Sequence, residues 1–170
     1  MSQHLNREFG TIITRLIHKD NLTQNEAKAA FAAVLDNGVT EMQQGAFLAA
    51  LAAKGESVDE VAGAFEAIYE LDTTKVALPG GIETVENSGT GMDTFKTFNI
   101  STAAAIIAAA GSIPMARHGA RAITSSCGTV DMAEALGVDV ECRADVVANS
   151  IETTGLGLFN GMSPHVHPKA

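Results

Sequence analysis

Cysteine is scarce in this chain, and so are basic residues and long apolar runs. The two cysteines, Cys127 and Cys142, lack the spacing of a zinc site, and with no signal-like start they read as reduced thiols of a cytoplasmic protein. Eleven lysines and arginines against twenty acids leave a net charge of −9, which argues against a surface that holds nucleic acid by neutralising phosphates. No stretch is long and apolar enough to span a bilayer, so no membrane role is expected. What the chain does have is apolar content: 46% over 170 residues suffices for one modest core or two small ones.

The first part reads as helices with legible ends. Thr23-Gln-Asn-Glu26, Thr40-Glu-Met-Gln43 and Ser57-Val-Asp-Glu60 each match the capping box, in which a hydroxyl and an acid or amide satisfy each other's free backbone donors. Asn37-Gly38 and Gly55 fall where left-handed, helix-ending residues belong. An amphipathic stretch with Phe9, Ile12, Ile13, Leu16 and Ile17 precedes them, which completes a four-helix unit. Alanine-rich faces (Ala29, Ala30, Ala33; Ala46, Ala49, Ala50, Ala53) suit close helix approach, and with no reactive constellation the unit reads as scaffold or dimer surface.

Between Asp72 and Ile82 the sequence Thr-Thr-Lys-Val-Ala-Leu-Pro-Gly-Gly is rich in breakers and marks a domain boundary. Beyond it, short apolar runs alternate with helices: Ile82 to Asn87, a Thr102 to Ala110 helix, Ile113 to Ala116, a Val130 to Leu136 helix, Val138 to Cys142, an Ala144 to Thr153 helix, and Leu156 to Phe159. That alternation predicts a parallel sheet with helices on its faces, and ligands at the carboxyl ends of its strands.

Two loops occupy such places. In the first, Gly89 and Gly91 let backbone N–H groups approach an anion, and Asn99, Ser101 and Thr102 stand at a helix start with its free donors and positive dipole end. Phosphate fits there; the competing reading makes Asn99 or Ser101 a cap and the glycines a turn. Asp93 favours the ligand, because an acid beside a phosphate nest calls for a metal or a sugar hydroxyl. In the second loop, Arg117 and Arg121 beside Thr124, Ser125 and Ser126 suggest a bidentate anion clamp. His118 reads as structural, and Thr129 has an alternative as the cap of the Val130 helix.

Together the loops resemble the glycosyltransferase family 3 proteins, and among them the phosphoribosyltransferases that use anthranilate. That family carries a Gly-Thr-Gly-Gly-Asp loop, an Asn-Ile-Ser-Thr helix start and a Lys-His-Gly-Asn-Arg segment followed by a serine and glycine loop. Gly89 to Asp93, Asn99 to Thr102, Arg117 to Arg121 and Thr124 to Gly128 match them, in combination rather than singly. The resemblance covers nearly the whole chain. It implies an α/β fold: a helical domain over 1–72, a linker over 73–81 and an incomplete, truncated parallel-sheet domain over 82–170 that binds phosphoribosyl pyrophosphate. The implied reaction is transfer of phosphoribose from phosphoribosyl pyrophosphate, with magnesium as cofactor, to an aromatic amine, anthranilate or a related acceptor, as in tryptophan biosynthesis. Carried over by position, Gly89, Gly91, Asp93, Thr97, Asn99, Ser101, Thr102, Arg117, His118, Gly119, Arg121, Thr124, Ser125 and Thr129 hold the substrate, and Ser101 touches the metal.

Departures from the pattern fall at Met92, where the family has its third loop glycine, at Arg117, where it has lysine, and at Ala120, where it has the asparagine that meets anthranilate. Family members run to roughly twice this length, and the acidic pair that binds magnesium lies in their remainder. The expectation is therefore a fragment or one half of a split protein, inactive by itself. Strands at Ile82, Ile113, Val138 and Leu156 would leave an open apolar edge that seeks a second copy, as a homodimer, or the missing half. His165 and His167 beside Pro164 and Pro168 match a His-Pro turn of the family and read as structural. Two other readings stay open: a non-catalytic relative that keeps a phosphate or nucleotide site, and a nucleoside phosphorylase of the same superfamily, whose lysine-serine signature is not evident.

Overall fold

The computed structural model describes residues 3–89 and 97–169. They form two compact units, one of residues 3–73 with Lys169 and one of Thr74–Pro168. The first contains α1 (Gln3–Ile17), α2 (Gln24–Leu35), α3 (Glu41–Lys54) and α4 (Val58–Leu71). All three capping hydroxyls act at their helix starts, and two of the three expected boxes close in full. Thr23 and Ser57 close full boxes with Glu26 and Glu60. The Thr40 hydroxyl accepts from the Gln43 N–H and donates to the Gln43 amide oxygen. Asn37 and Gly55 both take positive φ, 52° and 86°, at the ends of α2 and α3.

Phe9, Leu16, Leu22, Val39, Phe47 and Leu51 form the core of this unit, with Phe47 packed against Phe9 and, edge on, against Phe31. The close helix approach is not made by the α3 alanines: Ala46, Ala49 and Ala53 are exposed, because Phe47 and Leu51 claim the inward face of that helix. It is made between α2 and α4, where a β-carbon on Gly63 would lie 2.7 Å from the Lys28 nitrogen and 2.9 Å from the Ala27 side chain. Glu60 is wholly buried. Its carboxylate accepts from the Leu22 N–H (2.9 Å), the Ser57 N–H (2.7 Å) and the buried Lys54 ammonium (2.8 Å), tying the α1–α2 junction to the α3–α4 junction. Burial alone would raise its pKa, and Lys54 with the two N–H groups outweighs that and holds it below the ordinary value.

The second unit contains α5 (Ile100–Ala110), β1 (Met115–Gly119), α6 (Thr129–Ala135), α7 (Ala144–Thr154) and β2 (Leu156–Asn160). The strands pair in parallel, Met115 opposite Leu156 and Gly119 opposite Asn160. A β-carbon on Gly157 would meet Ile151 at 2.6 Å, so α7 lies flush on β2. The order is thus the expected one, a helical domain followed by an α/β domain with a parallel sheet. No helix among the described residues is long and apolar enough to cross a membrane.

Two expected strands differ. The run at 82–87 contributes a single bridge, Val85 to Met115, because Glu86 and Ser88 reach the His118 backbone through their side chains instead of continuing a ladder. The stretch at 138–142 is not a strand at all. Val140 is buried against Val130, Ala133 and Leu158, and its carbonyl accepts from the Asn160 amide, so Val140 plugs the space under α6 while Val138 stays exposed. The Ile113 to Ala116 run shifts to Met115–Gly119, since Ser112 turns the chain at φ 65° and Ile113 closes the end of α5.

Candidate anion-binding site at the end of β1

Alternation along β1 turns Met115 and Arg117 to the buried face and His118 outward. Arg117 is only 5% exposed. One of its terminal nitrogens donates to Ser88 Oγ (2.9 Å) and the other to Thr129 Oγ1 (3.1 Å). Its Nε is buried with no partner among the described residues, and the nearest carboxylate, Glu86, stands 3.9 Å away and half exposed. Burial lowers its pKa, and Glu86 pushes the other way. The guanidinium stays charged in any event, so the site holds a buried cation whose charge and donors are under-compensated.

Hydroxyls and helix starts surround it. Thr102 Oγ1 donates to Thr129 Oγ1 at 3.5 Å, which joins the first turn of α5 to that of α6. A β-carbon on Gly89 would sit 3.9 Å from Ser101 Oγ, so the glycine brings backbone to the same helix start. Asn87 donates to the Ser101 carbonyl (2.9 Å), while its own Oδ1 is buried without a partner among the described residues. Ser88 Oγ also meets the Glu86 carboxylate and the His118 carbonyl. Burial would raise the Glu86 pKa, but the Ser88 hydroxyl and the His118 and Ser88 N–H groups keep it below its ordinary value.

The two predicted loops therefore come together, with three corrections. Asn99 occupies the cap position of α5 but does not cap it; its amide donates to Cys127 Sγ at 3.6 Å in the other loop. Thr129 is not a cap either, for Gly128 holds the cap position of α6 and the Thr129 hydroxyl is taken by Arg117. The paired clamp of Arg117 and Arg121 does not form. Arg121 turns to α6, where Glu134 (2.8 Å) and Asp131 (3.1 Å) raise its pKa. Asp131 also accepts from the Ala122 and Gly128 N–H groups (2.8 and 2.9 Å), so Arg121 and Asp131 brace the loop that Thr124 and Ser125 ride on. Thr124 and Ser125 are exposed, the latter donating to the Cys127 carbonyl, and the exposed Thr97 donates to the Phe98 carbonyl. Gly91, Met92 and Asp93 lie outside the described residues.

Two glycines are set by packing: a β-carbon on Gly119 would lie 2.7 Å from Thr129 Cγ2, and one on Gly128 would lie 2.5 Å from the Ala122 nitrogen. Glu86, Asn87 and Ser88 are site residues that the sequence reading passed over. The signal was present, since they fall at the end of the run expected from Ile82 to Asn87, at the carboxyl end of a strand-like segment.

A model of the glycosyl transferase family α/β domain matches residues 81–170, and one of the same family's helical bundle domain matches residues 11–71. The chain belongs to the glycosyl transferase family. Among the family's curated members, the anthranilate phosphoribosyltransferase of Methanothermobacter marburgensis is 40% identical over 165 residues, covering 94% of this chain and 47% of that protein. The one from an Anaeromyxobacter species is 43% identical over 157 residues, covering 92% and 45%. The crystal structure of the Thermus thermophilus anthranilate phosphoribosyltransferase superposes with a TM-score of 0.79 at 31% identity, covering 92% of this chain and 46% of that one. The Saccharomyces cerevisiae enzyme, in complex with PRPP and Mg, shares the fold with a TM-score of 0.81 at 23% identity, over 96% and 48% of the two chains. The chain spans about half the length of the curated relatives it matches.

Proposed function

We propose that this chain serves a pentosyltransferase that moves phosphoribose from phosphoribosyl pyrophosphate to an aromatic amine of the anthranilate class, as in tryptophan biosynthesis. One observation supports the reading above others: the buried Arg117, which among the described residues has an unfilled Nε and only a distant, exposed carboxylate, sits where two helix starts and the hydroxyls of Ser88, Thr102 and Thr129 converge. Such a cation welcomes a polyanion, and the positive ends of α5 and α6 add to it.

Transfer asks for positioning and for neutralisation of the departing diphosphate while the amine attacks the anomeric carbon. Arg117 supplies charge, Gly89 lets backbone N–H groups approach, and Ser101 and Thr102 supply hydroxyls at the start of α5. No covalent nucleophile is needed, so Cys127 has no chemical part. The oxygen donors fit magnesium carried on the diphosphate: among the described residues no group of three or more His, Cys, Asp or Glu converges as a protein cage, and a hydroxyl such as that of Ser101 suits a hard cation that keeps its phosphates and waters. When bound, that ion would supply further charge neutralisation for the leaving group. We assign donor binding to 82–170. The helical unit is assigned to self-association through α4, whose Val58, Val61, Phe65 and Tyr69 face solvent. A cytoplasmic setting, in which Cys127 and Cys142 remain free thiols, accords with this.

The test is a calorimetric titration with phosphoribosyl pyrophosphate and magnesium. Arg117→Met and Ser101→Ala should each weaken binding, the first by roughly tenfold or more, as expected for a lost charged hydrogen bond. Equal affinity of the wild type and both variants would remove the proposal's basis.

A further inference from the structure

We propose that Glu86 makes the anion site selective for a sugar-linked diphosphate, its Oε2 accepting from a ribose hydroxyl of the polyanion that Arg117 holds, an assignment that rests on the function proposed above. Every hydrogen bond that this carboxylate makes among the described residues falls on Oε1: from the Ser88 N–H (3.0 Å), from the His118 N–H (3.3 Å) and from the Ser88 hydroxyl. Oε2 accepts from none of the described residues, and the side chain is 48% exposed. Its pKa stays below the ordinary value despite burial, because the Ser88 hydroxyl and the His118 N–H outweigh that effect. At neutral pH the group is therefore an acceptor only. A carboxylate fastened through one oxygen, with the other open to solvent, is an acceptor already in place for a ligand.

Its neighbour decides what it accepts from. Glu86 Oε1 stands 3.9 Å from Arg117 Nη1, so a phosphate drawn to Arg117 comes close to a second negative charge. That approach is unfavourable unless a donor on the same ligand meets the carboxylate. The oxygens of an ionised diphosphate are acceptors, whereas phosphoribosyl pyrophosphate also carries two ribose hydroxyls. Its 2-hydroxyl sits on the carbon next to the one that bears the diphosphate. An acid and a cation side by side in the protein thus match a hydroxyl and an anion side by side in the ligand. Ser88 keeps the spacing, since its hydroxyl meets Glu86 Oε1 and accepts from Arg117 (2.9 Å). A site that needs a hydroxyl donor rejects the analogue without one, which here is bare diphosphate.

Calorimetric titrations of the full chain with phosphoribosyl pyrophosphate and with inorganic diphosphate, each with magnesium, test this through the ratio of the two Kd values. The wild type should favour the sugar-bearing ligand. Glu86→Gln should cut that preference by roughly tenfold or more, weakening phosphoribosyl pyrophosphate and tightening diphosphate, as a charged hydrogen bond is lost and a repulsion removed. Glu86→Asp keeps the charge but draws the oxygens back by one carbon, and should lose the preference with no gain in diphosphate affinity. The ratio is taken within one protein, so partial unfolding of a variant affects both ligands alike and leaves it unmoved. A ratio unchanged in either Glu86 variant, while Arg117→Met weakens both ligands, would overturn the Glu86 assignment and spare the donor-binding reading. Failure of the wild type to bind either ligand would overturn both.

Discussion

Arg117 on β1 donates to the hydroxyl of Thr129, the first residue of α6, at 3.1 Å. That bond joins the strand to the helix that follows the second loop, and it accounts for one of the guanidinium's few partners. Thr129→Val should therefore act twice. It should lower stability by about 1 to 3 kcal/mol, since a buried charged donor loses its acceptor, and it should weaken diphosphate binding. Urea unfolding and calorimetry on the same variant measure the two effects.

The Lys54 and Glu60 pair concerns folding alone. Lys54→Met leaves a carboxylate buried without its cation and should cost about 3 to 5 kcal/mol. The sign of the pH dependence follows from the Glu60 pKa, which lies below its ordinary 4.5 in the folded state. Its stabilisation is present above pH 4.5 and lost as pH falls through the lower, folded value. Thermal unfolding between neutral pH and pH 3 should show this acid loss in the wild type and a shallower one in Lys54→Met.

Ala120 is half-buried, and the family resemblance implies that an asparagine which meets anthranilate belongs at its position. Ala120→Asn should tighten anthranilate binding by roughly tenfold, the worth of one restored polar contact. Calorimetric titrations of the two proteins with anthranilate decide it, and no change would move acceptor recognition elsewhere.

Cys127 is exposed and touches Asn99, whereas burial, then Asp139, raises the Cys142 thiol. Iodoacetamide should modify Cys127 first. Saturating phosphoribosyl pyrophosphate with magnesium should slow that reaction several-fold, which mass spectrometry of the tryptic peptides would follow.

Much of the helical unit was legible because capping is local: Thr23 finds Glu26 and Ser57 finds Glu60 within one turn, whatever surrounds them. The loops were legible as well, through Gly89, Ser101 and the run from Arg117 to Gly128. What escaped was decided at a distance. Val138 and Val140 alternate like a strand, and only the amide of Asn160, twenty residues on from Val140, shows why Val140 plugs the space under α6 instead while Val138 stays exposed. Arg117 and Arg121 look equivalent in a list of residues. Strand alternation buries the first, and Asp131 with Glu134, three apart on one face of α6, captures the second.

That capture has a kinetic meaning. Because Asp131 draws in the N–H groups of both Ala122 and Gly128, the backbone between them is cinched into a closed ring before any ligand arrives. The entropy of ordering it is spent during folding, so under the proposed function an incoming diphosphate would meet a cup already shaped, and capture would proceed at the rate of encounter without waiting for the rim to form.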